Sequence, residues 1–361
     1  MRVLIVDDSP VLRLLLRAVC EEAGFEVCTA DSGEQALTLL ERYTPDIVTM
    51  DVHMPGIDGY ETTARILERY ALPVVVLTAS ANVNDATTAM RVLAVGALAV
   101  VEKPRGLDAP DFQQRIEELL RTLRSLVQVK VVRRPRPAQS PQRTWPAANP
   151  ILQAAPRLVA IGASAGGPVA LKSLLQSLQQ APPWPMVLVQ HISTGFLPSF
   201  CQWLGSLVTL SVQIAEDGQL LQPGVLYLAP DGKQLGVSAE LRVQLQAGTA
   251  QQQFCPSIDH LFNCVARQLG NRVIGIQLSG MGRDGAAGLA ELRRQGALTL
   301  VQEPASAVID AMPRAAIEMQ AASQILAPEQ IAATLDVLAR QVATAPAGEG
   351  GGTSCTTTLK S

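Results

Sequence analysis

A short apolar run followed by an amphipathic helical stretch recurs along this chain, and that alternation restricts the possible folds more than any other feature. The first run, Arg2-Val-Leu-Ile-Val6, ends in Asp7-Asp8-Ser9 and precedes a helical pattern over 10–22. Apolar runs bounded by turn residues are typical of strands buried on both faces of a parallel sheet. Five such units within about 125 residues predict a doubly wound α/β domain. The later predicted strands lie near 26–29, 47–50, 73–77 and 97–101, and the later predicted helices near 33–43, 60–70, 84–95 and 111–126.

Charged and polar side chains follow several of these strands. Asp7 and Asp8 follow the first strand, Asp51 the third, Thr78 the fourth and Lys103 the fifth. In open α/β sheets, functional groups gather at the carboxyl ends of the strands, and three carboxylates there would repel one another unless a divalent cation bridged them. Mg²⁺ prefers carboxylate, phosphate and water oxygens, and a lysine and a hydroxyl could hold the oxygens of a phosphoryl group. The alternative is that these carboxylates only cap helices.

Four motifs in this region resemble those of response-regulator receiver domains. They are Val-Asp-Asp-Ser, Met-Asp51-Val-His-Met-Pro-Gly-Ile-Asp-Gly, Leu-Thr78-Ala and Glu-Lys103-Pro, in that order within residues 1–125. The resemblance implies a flavodoxin-like receiver domain over 1–125, with Asp51 as the phosphoacceptor. It also implies that Mg²⁺ is bound by Asp8, Asp51 and the backbone carbonyl of His53.

The resemblance gives three further residues a place in the receiver site. Asp7 would help to shape the site, and Thr78 and Lys103 would hold phosphoryl oxygens and couple the site to the distal face. One position departs from the family pattern, because Val100 stands where many receivers have an aromatic switch residue. We therefore expect the rotamer-coupled part of the usual switch to differ here.

The length of 361 residues exceeds that of one ordinary domain, so two domains are expected. A net charge of −3 gives no reason to expect nucleic-acid binding, and the absence of an apolar run of about 18 residues argues against membrane insertion. Six cysteines without CxxC spacing, together with no signal peptide, predict reduced thiols in a cytoplasmic protein. The only histidines, His53, His191 and His260, argue against a multi-histidine metal centre.

Two segments lack the periodicity of the rest. Residues 126–156 contain recurrent proline and predict an extended linker between domains. Its basic run could contact an acidic partner, but a solvated linker is the preferred interpretation. Residues 344–361 are rich in glycine and threonine and predict a disordered tail.

The second half of the chain begins with an apolar strand that runs into a glycine-rich turn around Ser164. Further strands are predicted near 186–190 and 273–278, and the polar residues that follow these strands are His191 and Asp284. Parallel strands end at one edge of a sheet, so the three side chains can converge. A serine nucleophile needs a base to take its proton, and the base needs an acceptor that orients it. The loop around Met281 could donate backbone N–H groups to an oxyanion.

Each of these residues also has a purely structural interpretation. Ser164 could cradle a phosphate or only form a turn, although the turn lacks a P-loop lysine and the dinucleotide spacing. His191 could be a hydrogen-bonded strand-end histidine, and Asp284 could cap the helix that follows it. His260 is a weaker candidate base because it lies within a helical pattern over 258–269. The segments near 212–215, 224–229, 235–238 and 242–246 predict hairpin strands with turns at 217–218 and 231–232, and further elements are expected near 169–178, 286–295, 298–301, 313–318 and 328–342.

Five motifs over residues 156–343 resemble those of the chemotaxis-specific protein-glutamate methylesterases. They are Ile-Gly-Ala-Ser-Ala-Gly-Gly, Val-Gln-His191-Ile, Leu-Tyr-Leu-Ala-Pro, Pro-Ser-Ile-Asp259 and Ser-Gly-Met-Gly-Arg-Asp-Gly. The resemblance implies a catalytic domain over 157–343 with a Rossmann-like, doubly wound parallel sheet and an inserted β-hairpin. It implies a triad of Ser164, His191 and Asp284, the amide of Met281 as oxyanion donor, and no cofactor for the esterase.

The implied function is phosphorylation-activated hydrolysis of glutamyl methyl esters on chemoreceptors, together with deamidation of receptor glutamines. The implied partners are methylated chemoreceptors and a chemotaxis histidine kinase. Two alternatives stay open: a non-catalytic receptor-binding adaptor controlled by phosphorylation, and a serine hydrolase that acts on another ester. Cys255 stands where the family often has arginine and Gln234 where it often has histidine, so we expect both to lie near the substrate cleft and to affect receptor preference.

Overall fold

The computed structural model describes residues 1–79, 83–104, 106, 108–127, 129, 131, 154–249 and 252–344. Most of the predicted linker over 126–156 lies outside the described residues, as does all but the first residue of the predicted tail over 344–361. Among the described residues, no helix is both long and apolar enough to cross a bilayer.

The first unit is a five-stranded parallel sheet with strand order β2-β1-β3-β4-β5. The order reverses between β1 and β3, which places the crevice of the doubly wound sheet beside the residues that follow these two strands. Strands β3 and β4 are buried throughout, as expected where helices cover both faces. The elements are β1 (Arg2–Val6), α1 (Pro10–Glu22), β2 (Glu26–Ala30), α2 (Gly33–Leu40), β3 (Ile47–Asp51), α3 (Gly59–Arg69), β4 (Val74–Thr78), α4 (Val83–Val95), β5 (Ala99–Glu102) and α5 (Phe112–Leu126).

Local side-chain chemistry sets where the helices of this unit begin. The Ser9 hydroxyl accepts a hydrogen bond from the N–H of Leu12, and Pro10 occupies the first turn of α1. The Asp58 carboxylate likewise accepts from the N–H of Glu61 at 2.8 Å at the start of α3. These caps fix the points at which α1 and α3 begin, directly after the loops that carry the acidic residues.

The second unit is a seven-stranded sheet, all of it parallel, with strand order β14-β13-β12-β6-β7-β9-β8. Strand β6 lies at its centre, between β7 and β12, so the residues that follow these three strands meet at one edge. The predicted α/β class with parallel sheets is confirmed for both units. The elements are β6 (Leu158–Ala163), α6 (Gly167–Gln176), β7 (Met186–Gln190), α7 (Leu197–Leu207), β8 (Ser211–Ile214), β9 (Val225–Leu228), β10 (Lys233–Val237), β11 (Val243–Ala247), α8 (Ile258–Leu269), β12 (Val273–Gln277), α9 (Ala286–Arg294), β13 (Leu298–Gln302), α10 (Ala311–Glu318), β14 (Gln324–Leu326) and α11 (Pro328–Thr344).

One set of predicted hairpins is wrong. Strands β8 and β9 pair in parallel with each other, and β9 also pairs with β7, so both extend the main sheet. The apolar β9 is largely buried and fits between two strands of a sheet that helices cover. Only β10 and β11 form the inserted antiparallel hairpin. Helix α7 and the three-residue strand β14 were not predicted, although α7 is amphipathic and buries Leu197, Phe200 and Leu204.

Candidate active site

Ser164 follows β6 directly, in the turn that leads to α6. The turn requires glycine at position 166, where φ is 76° and a Cβ atom would lie 2.6 Å from Val308 Cβ. Left-handed backbone of this kind is costly for residues that have a side chain. The turn therefore holds Ser164 at the sheet edge with 9% of its surface exposed.

The backbone of Ser164 is fixed on both sides. Its N–H donates to the carbonyl of Ser279 at 3.0 Å, which ties the turn to the segment after β12. Its carbonyl accepts from the N–H of Gly167 at 2.8 Å and from Nε2 of the buried Gln190 at 2.9 Å. A rigid backbone of this kind leaves only the side-chain rotamer of Ser164 to vary.

His191 follows β7, the strand beside β6. Its N–H donates to the carbonyl of Ala163 at 3.0 Å, which extends the ladder by one residue and places His191 next to the serine turn. Nε2 of its ring lies 3.0 Å from Oδ2 of Asp284. The ring also stacks on Phe254, with 4.7 Å between ring centroids and an interplanar angle of 11°.

Asp284 is 6% exposed and follows β12 through the 278–283 loop. Its Oδ1 accepts from Ser257 Oγ at 2.9 Å and from the N–H of Asp259 at 3.0 Å, and its Oδ2 accepts from the N–H of Ile258 at 2.8 Å. The carboxylate thus caps α8 as well as contacting His191. Capping of the following helix, α9, was the structural alternative, but the residue at that helix's N-terminus is Gly285.

The pKa of the Asp284 carboxyl lies below its usual range. Burial alone would raise the pKa, but the contact with His191 and the backbone N–H donors of Asp259 and Ile258 outweigh it. The carboxylate is therefore charged at neutral pH, as a group that orients and stabilises an imidazolium must be.

The loop around Met281 lies against the serine. A Cβ atom on Gly280 would come within 2.8 Å of Ser164 Cβ, so glycine lets this loop approach closely. The N–H of Gly280 donates to the carbonyl of Ile309 at 3.2 Å and is already used. The N–H of Met281 has no hydrogen-bond acceptor among the described residues.

The acidic residues of the first unit converge at the edge where its strand order reverses. Carboxylate oxygens of Asp7, Asp8 and Asp51 all lie within 4.8 Å of one another. Nζ of Lys103 is 2.7 Å from Oδ2 of Asp7 and 2.7 Å from Oδ2 of Asp51. Asp7 and Asp51 are buried and Asp8 is exposed, so the cluster opens to solvent on one side.

The electrostatics of this cluster favour a bound cation. Burial raises the pKa of Asp51, and Asp7 adds to the rise, whereas Lys103 and the N–H of His53 oppose it. The N–H of His53 donates to Oδ1 of Asp51 at 3.3 Å. Three carboxylates with a single lysine form the oxygen-rich donor set that suits Mg²⁺.

The predicted hydroxyl of this site, that of Thr78, belongs to a fully buried residue at the end of β4.

Comparison with known proteins decides the family. Residues 3–122 match the response regulator receiver domain model and residues 159–335 match the CheB methylesterase model. A protein-glutamate methylesterase/protein-glutamine glutaminase of Hahella chejuensis is 48% identical over 343 residues, covering 94% of this chain and 98% of that protein. One from Anaeromyxobacter dehalogenans is 42% identical over 94% of this chain and 99% of its own length. The chain belongs to the protein-glutamate methylesterase/protein-glutamine glutaminase family.

A solved structure also resembles about half of this chain. The Thermotoga maritima CheB methylesterase catalytic domain is 30% identical, covers 51% of this chain and 100% of its own, and aligns with a TM-score of 0.49. The two family models match the first and second units of the fold, which are called the receiver unit and the methylesterase unit below.

The receiver unit packs against the methylesterase unit beside the serine turn. Helix α4 packs on α6 and α7, and Ser193 Oγ donates to the carbonyl of Val100 at 2.7 Å. One hydrophobic cluster contains Val101 of the receiver unit and Val308 of the methylesterase unit. Met281, whose amide is the predicted oxyanion donor, packs against the same cluster, as do Ala165, next to Ser164, and Val169 of α6.

Several site residues were not found in the sequence analysis. Phe254 and Ser193 lie in loops without a periodic pattern, and Gln190 was treated only as the last residue of a strand. Gln234 and Cys255 were expected near the substrate cleft. Gln234 is 1% exposed, so any effect that it has on substrate preference does not come from direct contact.

Proposed function

We propose that this chain hydrolyses glutamyl methyl esters of chemoreceptors through a Ser164–His191–Asp284 triad and deamidates receptor glutamines at the same site. The observation that carries the proposal is the 3.0 Å contact between His191 and Asp284 beside the serine turn at one sheet edge. The names of the family members describe both activities. An ester and an amide pass through the same kind of tetrahedral intermediate, so one site can serve both.

The chemistry follows from the placement of each group. Ser164 Oγ attacks the ester carbonyl while the imidazole of His191 takes its proton. Because Nε2 faces Asp284, Nδ1 is the nitrogen left to act as base. The C–O bond to methanol then breaks as the imidazolium returns the proton to the methoxy oxygen, and water hydrolyses the acyl-serine by the same route in reverse. The open N–H of Met281 would donate to the oxyanion, a contact commonly worth about 3 kcal/mol.

The test of this function is methanol release from methylated receptor by the full-length chain in its phosphorylated state. Release that depends on Ser164 supports the proposal. Methanol release at the wild-type rate from a chain in which Ser164 has been replaced contradicts it. A fluorophosphonate probe that fails to label Ser164 would instead favour a binding adaptor without catalysis.

We also propose that phosphorylation of Asp51 by a chemotaxis histidine kinase activates the esterase in the cytoplasm. Asp8, Asp51 and the carbonyl of His53 would hold Mg²⁺, which when bound neutralises charge on the phosphoryl oxygens. Lys103, which bridges Asp7 and Asp51, would contact a phosphoryl group on Asp51. Thr78 would hold another of its oxygens.

Replacing Asp51 with asparagine is expected to abolish both phosphate incorporation from a small acyl phosphate and the resulting rise in esterase rate. The amide cannot form an acyl phosphate under these conditions. Chelation of divalent cations with EDTA should have the same effect on the wild type, since the clustered carboxylates need a cation to accept a dianionic group. His53→Gln is the matched control, because only the backbone of His53 is assigned a role. Incorporation that survives Asp51→Asn would place the phosphoacceptor elsewhere.

We propose in addition that the receiver unit restrains the methylesterase site through the Ser193–Val100 hydrogen bond. Ser193→Ala is expected to raise the basal esterase rate about fivefold, because a lost hydrogen bond of about 1 kcal/mol shifts the balance towards an open site. The rate of the phosphorylated chain should stay the same. Thr194→Ala is the control, since Thr194 is exposed in the same loop. A basal rate that is equal in all three chains would show that this bond does not restrain the site.

A further inference from the structure

The loop before α8 carries Phe254 onto the ring of His191. The two rings are nearly parallel, at 11°, with centroids 4.7 Å apart. Such stacking restricts rotation of the imidazole about its Cβ–Cγ bond and covers one of its faces. Phe254 is only partly buried and lines a groove of 630 Å³ that also reaches Asp284. It therefore does not serve merely to fill the core.

A buried amide fixes the backbone around Phe254. Nε2 of Gln234 donates to the carbonyl of Phe254 at 2.8 Å and to Oε1 of Gln252 at 3.2 Å. Its Oε1 accepts from the N–H of Ser257 at 2.8 Å. The side chain thus holds the loop on both sides of the aromatic residue, and with 1% exposure it has no access to substrate.

The same short segment serves two members of the proposed triad. Phe254 contacts His191, while the N–H groups of Ile258 and Asp259 contact Asp284. A shift of this segment would move the imidazole and the carboxylate relative to each other. Misplacement by about 1 Å is enough to cost on the order of 100-fold in rate.

We infer that Phe254 and Gln234 are positioning residues of this esterase: Gln234 fixes the loop, and Phe254 holds the imidazole of His191 against Asp284. The inference rests on the proposed function, in which His191 is the base. Gln234 lies in the wall of the same groove but is 1% exposed, so we expect it to affect catalysis through the loop. The effect should appear in kcat and not in receptor binding.

Nuclear magnetic resonance tests the stack in the full-length chain. The sequence contains three histidines, so histidine labelled in the ring gives a sparse spectrum, and His53→Gln and His260→Gln identify the other two. Phe254→Leu should shift the His191 C–H resonances, because the ring current of Phe254 disappears, whereas Phe254→Tyr should largely retain it. Gln234→Leu should shift the same resonances although it does not touch His191. Gln246→Leu is the matched control, since Gln246 pairs with Gln234 across the hairpin but is exposed.

Steady-state kinetics of the phosphorylated chain on methylated receptor complete the test. We expect kcat to fall about 10- to 100-fold in Phe254→Leu and Gln234→Leu, with KM nearly unchanged and with recovery in Phe254→Tyr. Unmoved His191 resonances in Phe254→Leu, or a rise in KM at constant kcat, would overturn the inference. If Gln234→Leu does not fold, the resonances and kcat of Phe254→Leu and Phe254→Tyr still test the inference. Full activity of His191→Gln would instead overturn the proposed function and leave the measured stack in place.

Discussion

We expect Ser164→Ala to lower the rate of methanol release from methylated receptor by about 10⁴- to 10⁶-fold, as loss of a serine nucleophile does in other hydrolases. The backbone of Ser164 is held by Ser279, Gly167 and Gln190 independently of its hydroxyl. Alanine should therefore leave the turn intact and remove only the reacting oxygen. The rate should be measured on the phosphorylated full-length chain.

Two controls separate this effect from misfolding or lost activation. Ser177→Ala, at the other end of α6, should hydrolyse the ester at the wild-type rate. Phosphate incorporation at Asp51 should be equal in all three chains, since the receiver site shares no residue with the serine turn. If Ser164→Ala kept most of its activity, the triad assignment would have to be abandoned and another nucleophile sought.

Asp284→Asn is expected to damage both catalysis and stability, because the carboxylate orients His191 and also caps α8. Loss of an equivalent carboxylate in a serine hydrolase costs about 10⁴-fold in kcat. Separately, loss of a charged acceptor at the N-terminus of α8 should lower the free energy of unfolding by about 1–2 kcal/mol. A residue with only a catalytic role would not change the stability in this way.

The stability effect should depend on pH in a defined direction. The pKa of Asp284 is lower in the folded chain than its ordinary value, so its ionised form stabilises the fold above about pH 4, the range of an unfolded aspartate. This contribution is lost as the pH falls through the lower, folded pKa. The difference in free energy of unfolding between wild type and Asp284→Asn should therefore be full at neutral pH and shrink in acid.

Tryptophan fluorescence during urea unfolding can measure this difference, because Trp184 and Trp203 are both buried in the methylesterase unit. Asp336→Asn is the matched control: Asp336 is buried and accepts from the N–H of Gln179, far from the sheet edge. Burial raises the pKa of the Asp336 carboxyl, so its ionisation opposes folding at neutral pH. That variant should keep its triad chemistry and should not show the stability loss expected of Asp284→Asn at pH 7. An Asp284→Asn chain with wild-type stability at pH 7 would show that the contacts to α8 contribute nothing.

The sequence predicted elements best where periodicity and caps agreed. The bounds of α1, β7 and α8 match the prediction residue for residue, and each has a clear hydrophobic pattern with flanking turn residues. The pairing of β8 and β9 was predicted wrongly, because an alternating pattern does not say which strand lies alongside. Burial of β9 against β7 decided that question.

The sequence alone determined the two-unit α/β organisation and the chemical groups at the strand ends. It could do so because parallel strands must end at one edge, whatever the loops between them do. Only the tertiary structure decided that Nε2 of His191 faces Asp284, that Asp284 caps α8, and that Phe254 covers the imidazole. These contacts join residues 26 to 93 positions apart. No local pattern encodes them, since they depend on how separate loops meet once the sheet has formed.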